Sequence, residues 1–157
     1  MNGTLVIGYG NTLRKDDGVG VWIAEKIESL SLRDVDVRTC HQLHLELLPD
    51  LIQYRNIVLV DASADGEAVA YRTCSTSTAL PAPTDHSVSP ETLHQLGREL
   101  YDTDLTIHIF TVRGSSFEFG FGLSPEVEAR AMAVVTRIVK MLVGELKPMR
   151  ASEHVVS

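Results

Sequence analysis

Two short runs of aliphatic residues constrain the fold of this chain more than any other feature. Residues 4–9 (TLVIGY) and 56–61 (NIVLVD) lack the alternation of apolar and polar side chains that marks a strand with one solvated face. Strands of this kind are covered by helices on both faces of a parallel sheet. Both runs are therefore predicted to be central parallel strands.

Three further segments predict the remaining strands of the sheet. Residues 34–40 and 67–73 alternate apolar and polar side chains, and residues 105–112 form a fifth candidate strand. The polar alternation favours positions at the edges of the sheet. With the two central runs, these segments give a sheet of about five strands.

Helix signals fall between the predicted strands. Residues 18–30 repeat apolar side chains at helical spacing, in a stripe made of Val19, Ile23, Ile27 and Leu30. Ser-Pro-Glu sequences combine an N-cap, a first-turn proline and an acidic residue, and they predict helices over 89–101 and 124–144. The buried stripe predicted for the second comprises Val127, Ala131, Val134, Ile138 and Leu142. A weaker helix is predicted over 45–54, with Pro49 in its first turn.

The order of these elements predicts the fold class and the position of the functional site. It indicates a single α/β domain over residues 1–146, with a mostly parallel twisted sheet and helices on both faces. Residues 147–157 show no periodicity and are predicted to be a mobile tail. Ligands of such sheets bind beyond the carboxyl ends of the strands, a rule that selects residues 8–20, 61–66 and 75–88.

Composition excludes several classes of function. The chain has 21 acidic and 14 basic residues, a net charge of -7 and no cluster of Lys and Arg, which argues against a nucleic-acid partner. No apolar run approaches the ~18 residues of a membrane span, and the N-terminus has no signal-peptide pattern. Cys40 and Cys74 are too few for a disulfide scaffold. These features predict a cytoplasmic protein with no membrane partner.

The loop after the first strand, GYGNTLRKDDGVG at residues 8–20, indicates the charge of the ligand. A dinucleotide-binding loop needs a third glycine where this chain has Leu13, and the Gly-Lys-Ser/Thr of a phosphate-binding P-loop is missing. Asp16 and Asp17 would repel a phosphate in a partly desolvated cleft. The loop is therefore predicted to face a cation. The structural alternative is that the aspartates only favour the start of the following helix.

Two more residues extend this candidate ion site. Asp61 ends the second central strand at the same predicted sheet edge as Asp17, and His86 lies in the loop before Ser89. Two carboxylates and one imidazole are an incomplete ligand set for a borderline divalent ion such as nickel or zinc. Structural alternatives remain for both additions, because Asp61 can cap a turn and His86 can be a surface residue.

Other potential ligands are weaker candidates. Three of them lie together without a second matching pair of metal-binding residues: Cys40, His41 and His44. His94, in the predicted helix 89–101, is the runner-up to His86, whereas His108 alternates within a strand and is predicted to be structural. Neither cysteine has an obvious paired base, and the absence of a Gly-x-Ser-x-Gly motif also disfavours covalent catalysis.

The combination of these motifs resembles the nickel-iron hydrogenase maturation proteases over residues 3–145. The resemblance rests on the following segments: Gly8-Tyr9-Gly10-Asn11, Asp16-Asp17-Gly18 with Gly20, Val58-Leu59-Val60-Asp61-Ala62, the His86 loop and Phe119-Gly120-Phe121-Gly122-Leu123-Ser124. It implies an endopeptidase that removes a C-terminal extension from the hydrogenase large-subunit precursor after nickel insertion. It also implies a sheet of about five strands flanked by helices.

The resemblance further implies which residues contact the metal. These positions are Asp17, Asp61 and His86, the first standing where some members have Glu. The nickel is implied to belong to the substrate, and no organic cofactor is implied. Many members have a Gly-Gly turn after the second strand, where this chain has Cys40-His41-Gln42-Leu43. The His-Gln-Leu form resembles the branch serving bidirectional, NAD(P)-coupled hydrogenases.

The candidate residues fit metal-assisted peptide hydrolysis. The ion would polarise the scissile carbonyl or lower the pKa of a bound water. Asp16 would either orient a ligand or act as a base, and the sequence leaves both roles open. Two other functions stay open as well: a nickel-sensing checkpoint or chaperone that does not cut, and a small-molecule hydrolase or phosphorylase on a related sheet.

Overall fold

Five strands form one sheet in the computed structural model, which describes residues 2–74 and 88–146. In chain order they are β1 (Asn2–Tyr9), β2 (Val35–Cys40), β3 (Tyr54–Ser63), β4 (Val69–Thr73) and β5 (Ile107–Arg113). Their spatial order is β2-β1-β3-β5-β4, and every neighbouring pair is parallel except β4 with β5. The predicted mostly parallel sheet is confirmed. The tail predicted over 147–157 lies outside the described residues.

In the described ranges, four helices cover the strands: α1 (Val19–Ser29), α2 (Leu48–Leu51), α3 (Pro90–Tyr101) and α4 (Pro125–Leu146). Two 3₁₀ turns, Lys15–Gly18 and Leu45–Leu47, lead into α1 and α2. The helix predicted over 45–54 is thus shorter and divided, with Pro49 in the first turn of α2 as expected. None of the described helices is long and apolar enough to cross a membrane.

Alternate side chains of the central strands build two apolar cores, one on each face of the sheet. Val6, Val58 and Val60 pack with α1 and α4, whereas Leu5 and Ile57 pack with α2 and α3. Because both faces are buried, the central strands are almost wholly aliphatic, as their unbroken apolar runs predicted. The predicted helices on both faces are confirmed.

The buried stripes predicted for α1 and α4 are confirmed, with one exception. All five stripe residues predicted for α4 are at most 1% exposed. In α1, Val19, Ile23 and Ile27 are buried, but Leu30 is 49% exposed. The prediction for Leu30 is wrong: α1 ends at Ser29, and Leu30 follows as its C-cap residue, outside the buried part of the stripe.

The edge positions predicted from polar alternation are confirmed for β2 and β4. β5 lies inside the sheet, between β3 and β4. Its polar residue His108 is accommodated there because the Tyr71 hydroxyl of β4 lies 2.7 Å from the His108 Nδ1 atom. A polar residue on an interior strand is tolerated when a neighbouring strand supplies a hydrogen-bond partner. This contact agrees with the structural role predicted for His108.

Gly8 and Gly20 bring α1 directly against the carboxyl ends of the central strands. A Cβ on Gly8 would lie 2.0 Å from the carbonyl oxygen of Gly20, and a Cβ on Gly20 would lie 2.3 Å from that of Val60. No side chain fits at either position. The chain's own helix therefore makes the close approach at Gly8, which places the loop before α1 at the edge of the sheet.

Replacing Gly20 with Ala is expected to lower the free energy of unfolding by about 1–3 kcal/mol or more, because the added Cβ collides with backbone atoms. Urea unfolding followed by circular dichroism measures the change. Glu25→Ala, at an exposed position of the same helix, is the matched control and should change the free energy by less than about 0.5 kcal/mol. Equal stability of the two variants would contradict the close packing.

Candidate functional site

A cleft of about 410 Å³ opens at the carboxyl ends of β1, β2 and β3. Tyr9 and Asp61 line it from the strand ends, and Asp17 lines it from the 3₁₀ turn before α1. His41 lines it from the turn after β2, and Ser89 from the start of α3. This is the edge at which ligands bind in parallel α/β sheets. The structure therefore brings the two carboxylates predicted for the ion site into one cleft.

Asp17 is held in the cleft by the loop that follows β1. Its Oδ2 atom accepts a hydrogen bond from the backbone N–H of Asn11 over 2.7 Å. Gly10 makes the turn with a φ of +144°, and a Cβ there would lie 2.1 Å from the carbonyl oxygen of Asp17. The second glycine of the Gly-Tyr-Gly sequence thus serves to place the Asp17 carboxylate.

Asp61 lies in β3 and carries a perturbed pKa. Its Oδ1 atom accepts a hydrogen bond from the backbone N–H of Ala62 over 2.8 Å, and the Tyr9 hydroxyl donates another to the carboxylate. Burial, together with the negative charge of Asp17, raises the pKa of Asp61 to about 7, although the two hydrogen bonds act in the opposite direction. Asp17 and Asp61 therefore repel each other, and a bound cation would relieve that repulsion.

Tyr9 is a site residue that sequence reasoning missed. Burial and the neighbouring charge of Asp61 raise the pKa of its hydroxyl, so Tyr9 stays protonated and donates its hydrogen bond. A signal for it existed in the sequence. Side chains two residues apart share a face of a strand, so Tyr9, the last residue of β1, continues the row of Leu5 and Ile7 beyond the core and into the cleft.

Asp16 ties the loop before α1 to the segment 114–124. Its buried carboxylate accepts hydrogen bonds from the backbone N–H groups of Ser115, Ser116 and Ser124, over 2.8, 2.9 and 2.7 Å. A fourth bond comes from the Ser124 hydroxyl over 2.7 Å. The two adjacent aspartates thus face different parts of the molecule.

The surroundings of Asp16 favour one of the two roles that the sequence left open. Burial alone would raise the pKa of Asp16, but its four hydrogen bonds hold the pKa below the usual range. The carboxylate is ionised at neutral pH and has no exposed surface from which to meet a substrate or water. Asp16 is therefore better suited to positioning its neighbours than to the predicted direct catalytic role as a base.

The structure separates the runner-up His94 from the cleft. His94 is buried on α3, and its Nε2 atom lies 3.2 Å from Asp104 Oδ1. Asp104 precedes β5 and so lies at the amino edge of the sheet, opposite the cleft. His86 lies outside the described residues, and its role stays a prediction.

The weaker candidates around the second strand are also placed. His41 lines the cleft, whereas the Cys40 thiol packs against the core covered by α2 and α3. Burial raises the pKa of Cys40, and the two cysteines of the chain do not form a disulfide. His44 precedes the second 3₁₀ turn. Among the described residues, no group of three or more His, Cys, Asp or Glu side chains is arranged to hold a metal.

Comparisons with known proteins identify the fold. No family model and no curated protein sequence matches the chain. Among solved structures, the hydrogenase maturating endopeptidase HybD from E. coli matches with a TM-score of 0.71 and 22% identity, covering 92% of this chain and 94% of that chain. The [NiFe] hydrogenase maturation protease HycI from Thermococcus kodakarensis KOD1 matches with a TM-score of 0.69 and 22% identity, covering 90% of this chain and 92% of that chain.

A third structure, the hydrogenase 2 maturation peptidase from a Thaumarchaeota archaeon, has a TM-score of 0.67 and 23% identity, covering 88% of this chain and 97% of that chain. The chain therefore has the fold of the hydrogenase maturation proteases. This is the fold that the sequence resemblance implied.

Replacing Asp61 with Asn is expected to stabilise the folded protein, and more so at pH 8 than at pH 4. The folded-state pKa of about 7 lies above the unfolded value of 3.8, so Asp61 lowers the stability of the wild type as pH rises between those values. The difference in the free energy of unfolding between the variant and wild type should grow by at most about 1.4 kcal/mol per pH unit between these two pKa values. Urea unfolding between pH 4 and pH 8 measures it. A variant less stable than wild type at pH 8 would contradict the repulsion.

Replacing Asp16 with Asn is expected to lower the free energy of unfolding by about 3 kcal/mol at pH 7. The amide cannot accept all four hydrogen bonds, and its own N–H groups would face the N–H and O–H donors that surround it. The pKa of Asp16 is lower in the folded than in the unfolded protein, so the ionised carboxylate stabilises the fold fully above the unfolded-state pKa. This stabilisation is lost as pH falls through the folded-state pKa. The deficit should therefore shrink in acid. Asp50→Asn, which removes an exposed ion pair with Arg38, is the control and should cost under about 1 kcal/mol. Equal losses in the two variants would count against the anchoring role.

Proposed function

We propose that this protein is an endopeptidase that removes a C-terminal extension from the large-subunit precursor of a nickel-iron hydrogenase after nickel insertion. The observation that carries the proposal is the juxtaposition of Asp17 and Asp61 in one cleft. The fold supports it, because solved structures that share the fold are named as hydrogenase maturation proteases, peptidases or endopeptidases. In this proposal the nickel is part of the substrate, and no organic cofactor takes part.

The proposed recognition step depends on charge. A metal-loaded precursor brings a divalent cation to two carboxylates that repel each other in its absence. Asp17 and Asp61 bind the ion through oxygen, and His86 supplies a nitrogen ligand. A precursor without the ion gains none of these contacts, so binding energy selects the metal-loaded substrate.

The proposed hydrolysis places the peptide bond beside the substrate's own metal ion. That ion polarises the scissile carbonyl or lowers the pKa of a bound water. In both cases the residues of the chain have the same role, which is to hold the two carboxylates toward the ion. The Asn11 N–H orients Asp17, and the Ala62 N–H and the Tyr9 hydroxyl orient Asp61, so that both carboxylates face the ion without rearrangement.

A second function uses the same cleft without cutting: a checkpoint or chaperone that senses the nickel of the precursor. The observation that favours it is the burial of Asp16, which removes from the cleft a residue that the sequence offered as a base. The two functions differ in one product. Only the endopeptidase shortens the precursor.

Incubation of the purified protein with nickel-loaded precursor is expected to lower the precursor's mass by that of its C-terminal extension. Asp17→Asn, Asp61→Asn and His86→Ala should each slow the conversion by about 100-fold or more, because each Asn variant removes a negative charge that attracts the ion and the Ala variant removes a nitrogen ligand. Intact-mass spectrometry over time measures the rate. A normal rate in the Asp17 variant would contradict this site.

Asp102→Asn is the matched control for the two aspartate variants. Asp102 caps α3 in the left-handed conformation, with φ 50°, which Asn also adopts. It lies at the far end of a 12-residue helix that begins at the cleft, about 18 Å away by helix rise. This variant should process the precursor at the wild-type rate.

Nickel-free precursor and casein are expected to remain uncut under the same conditions. Without an ion the two cleft carboxylates gain no partner, so a peptide alone lacks the contact on which recognition depends. Mass spectrometry of both samples checks this. Efficient cleavage of either one would contradict substrate-borne nickel as the recognition element. Binding of nickel-loaded precursor without any mass change would favour the checkpoint.

A further inference from the structure

Two phenylalanines beside the loop that carries Asp17 are the most exposed large apolar residues in the part of the chain that the structure describes. Phe119 is 75% exposed and Phe121 is 81% exposed. Leu13, whose carbonyl accepts a hydrogen bond from the N–H of Gly120 between them, is 51% exposed. We call these three residues the aromatic platform. Exposed aromatic side chains grouped in this way mark protein-binding surfaces.

The aromatic platform is held in place by contacts to the loop before α1. The N–H of Gly120 donates to the Leu13 carbonyl over 2.9 Å, and the N–H of Lys15 donates to the Gly120 carbonyl over 3.0 Å. The Arg14 guanidinium lies 4.2 Å from the centre of the Phe119 ring. The four hydrogen bonds to Asp16 fix the two ends of the same segment. A surface that is already ordered loses little entropy when a partner binds.

Backbone geometry around the phenylalanines requires glycine. Gly120 has a φ of +147° and Gly122 a φ of +90°, conformations that residues with side chains rarely adopt. A Cβ on Gly122 would contact nothing, so conformation rather than crowding selects glycine there. The Phe-Gly-Phe-Gly sequence therefore specifies a fixed turn that presents both rings to solvent.

We propose that the aromatic platform is the docking surface for the folded body of the protein substrate, next to the cleft that takes its metal ion and its cleaved segment. This inference rests on the proposed function. The platform and Asp17 belong to one hydrogen-bonded unit, because Asp17 follows Asp16 in the chain and its N–H donates to the Arg14 carbonyl over 3.0 Å. A substrate bound on the platform therefore meets the cleft in a fixed geometry.

Charge indicates the chemistry of the surface that docks there. The chain has a net charge of -7, whereas Arg14 and Lys15 place two cations at the platform. Lys15 lies 3.9 Å from Glu118, but Arg14 has no carboxylate within ion-pair distance among the side chains of residues 3–74 and 88–144. An apolar patch of the substrate that is bordered by acidic side chains fits this surface. Elsewhere on the chain the excess of negative charge would oppose such a partner.

The test compares a Phe119→Ser, Phe121→Ser double variant with wild type and with Leu100→Ser, a control that alters a 67% exposed residue near the end of α3. Biolayer interferometry measures the Kd for nickel-loaded precursor, and mass spectrometry measures KM and kcat for its processing. The double variant should raise Kd and KM by about tenfold or more and leave kcat within about twofold. Leu100→Ser should change none of these quantities.

Additional variants keep the test independent of folding. If the double variant melts early, Phe119→Ser and Phe121→Ser alone should each raise KM in part with a wild-type melting temperature, because both rings are mostly exposed. Arg14→Glu should also raise KM, since it reverses the charge beside Phe119.

The outcomes separate this inference from the proposed function. An unchanged Kd and KM in the double variant, while wild type processes the precursor, would overturn the docking surface and leave the proposed function standing. Failure of wild type both to bind and to shorten the precursor would overturn both. Loss of self-association in the double variant, seen by light scattering with precursor affinity unchanged, would assign the platform to a second copy of the chain and so overturn the inference.

Discussion

The four hydrogen bonds that converge on the buried Asp16 carboxylate determine the geometry of the functional end of this protein. Burying a charge is costly unless donors surround it, and here one hydroxyl and three backbone N–H groups do so. They join the segment before α1 to the segment before α4, and these two helices pack in the same apolar core. Successive residues of a 3₁₀ turn point about 120° apart, so an Asp16 directed inward leaves Asp17 directed elsewhere. The adjacent aspartates therefore divide anchoring and ligand-facing roles between them.

Close packing of α1 brings Asp17 to the cleft that Asp61 also lines. Without side chains at Gly8 and Gly20, the helix approaches the strand ends, and the loop before it reaches the sheet edge. The consequence is a pair of carboxylates at one site, one of them with a pKa near 7. Such a pair lowers stability, as functional sites often do, and two apolar cores on opposite faces of the sheet supply the compensating stability.

Local sequence patterns predicted the fold and the meeting of Asp17 with Asp61. Unbroken aliphatic runs identified the central strands, and the carboxyl-end rule placed both carboxylates at one edge. Local patterns failed where a distant residue decides the outcome. Asp16 bonds with Ser124, 108 positions away, so no short motif reveals that it is an anchor. β5 is interior because β4, an earlier strand, pairs on its outer side, and the residues of β5 alone could not show this pairing. The contribution of His86 stays a prediction.

The repulsion between Asp17 and Asp61 is the central claim, and an NMR titration tests it most directly. Carbon-detected spectra follow the side-chain carboxyl of Asp61 against pH in wild type and in Asp17→Asn. The expected result is an apparent pKa near 7 in wild type and a lower value in the variant, because the variant keeps the burial of Asp61 but removes the neighbouring charge. The same pKa of Asp61 in wild type and in Asp17→Asn, whether near 7 or near its ordinary value of 3.8, would contradict a cleft that holds two mutually repelling carboxylates.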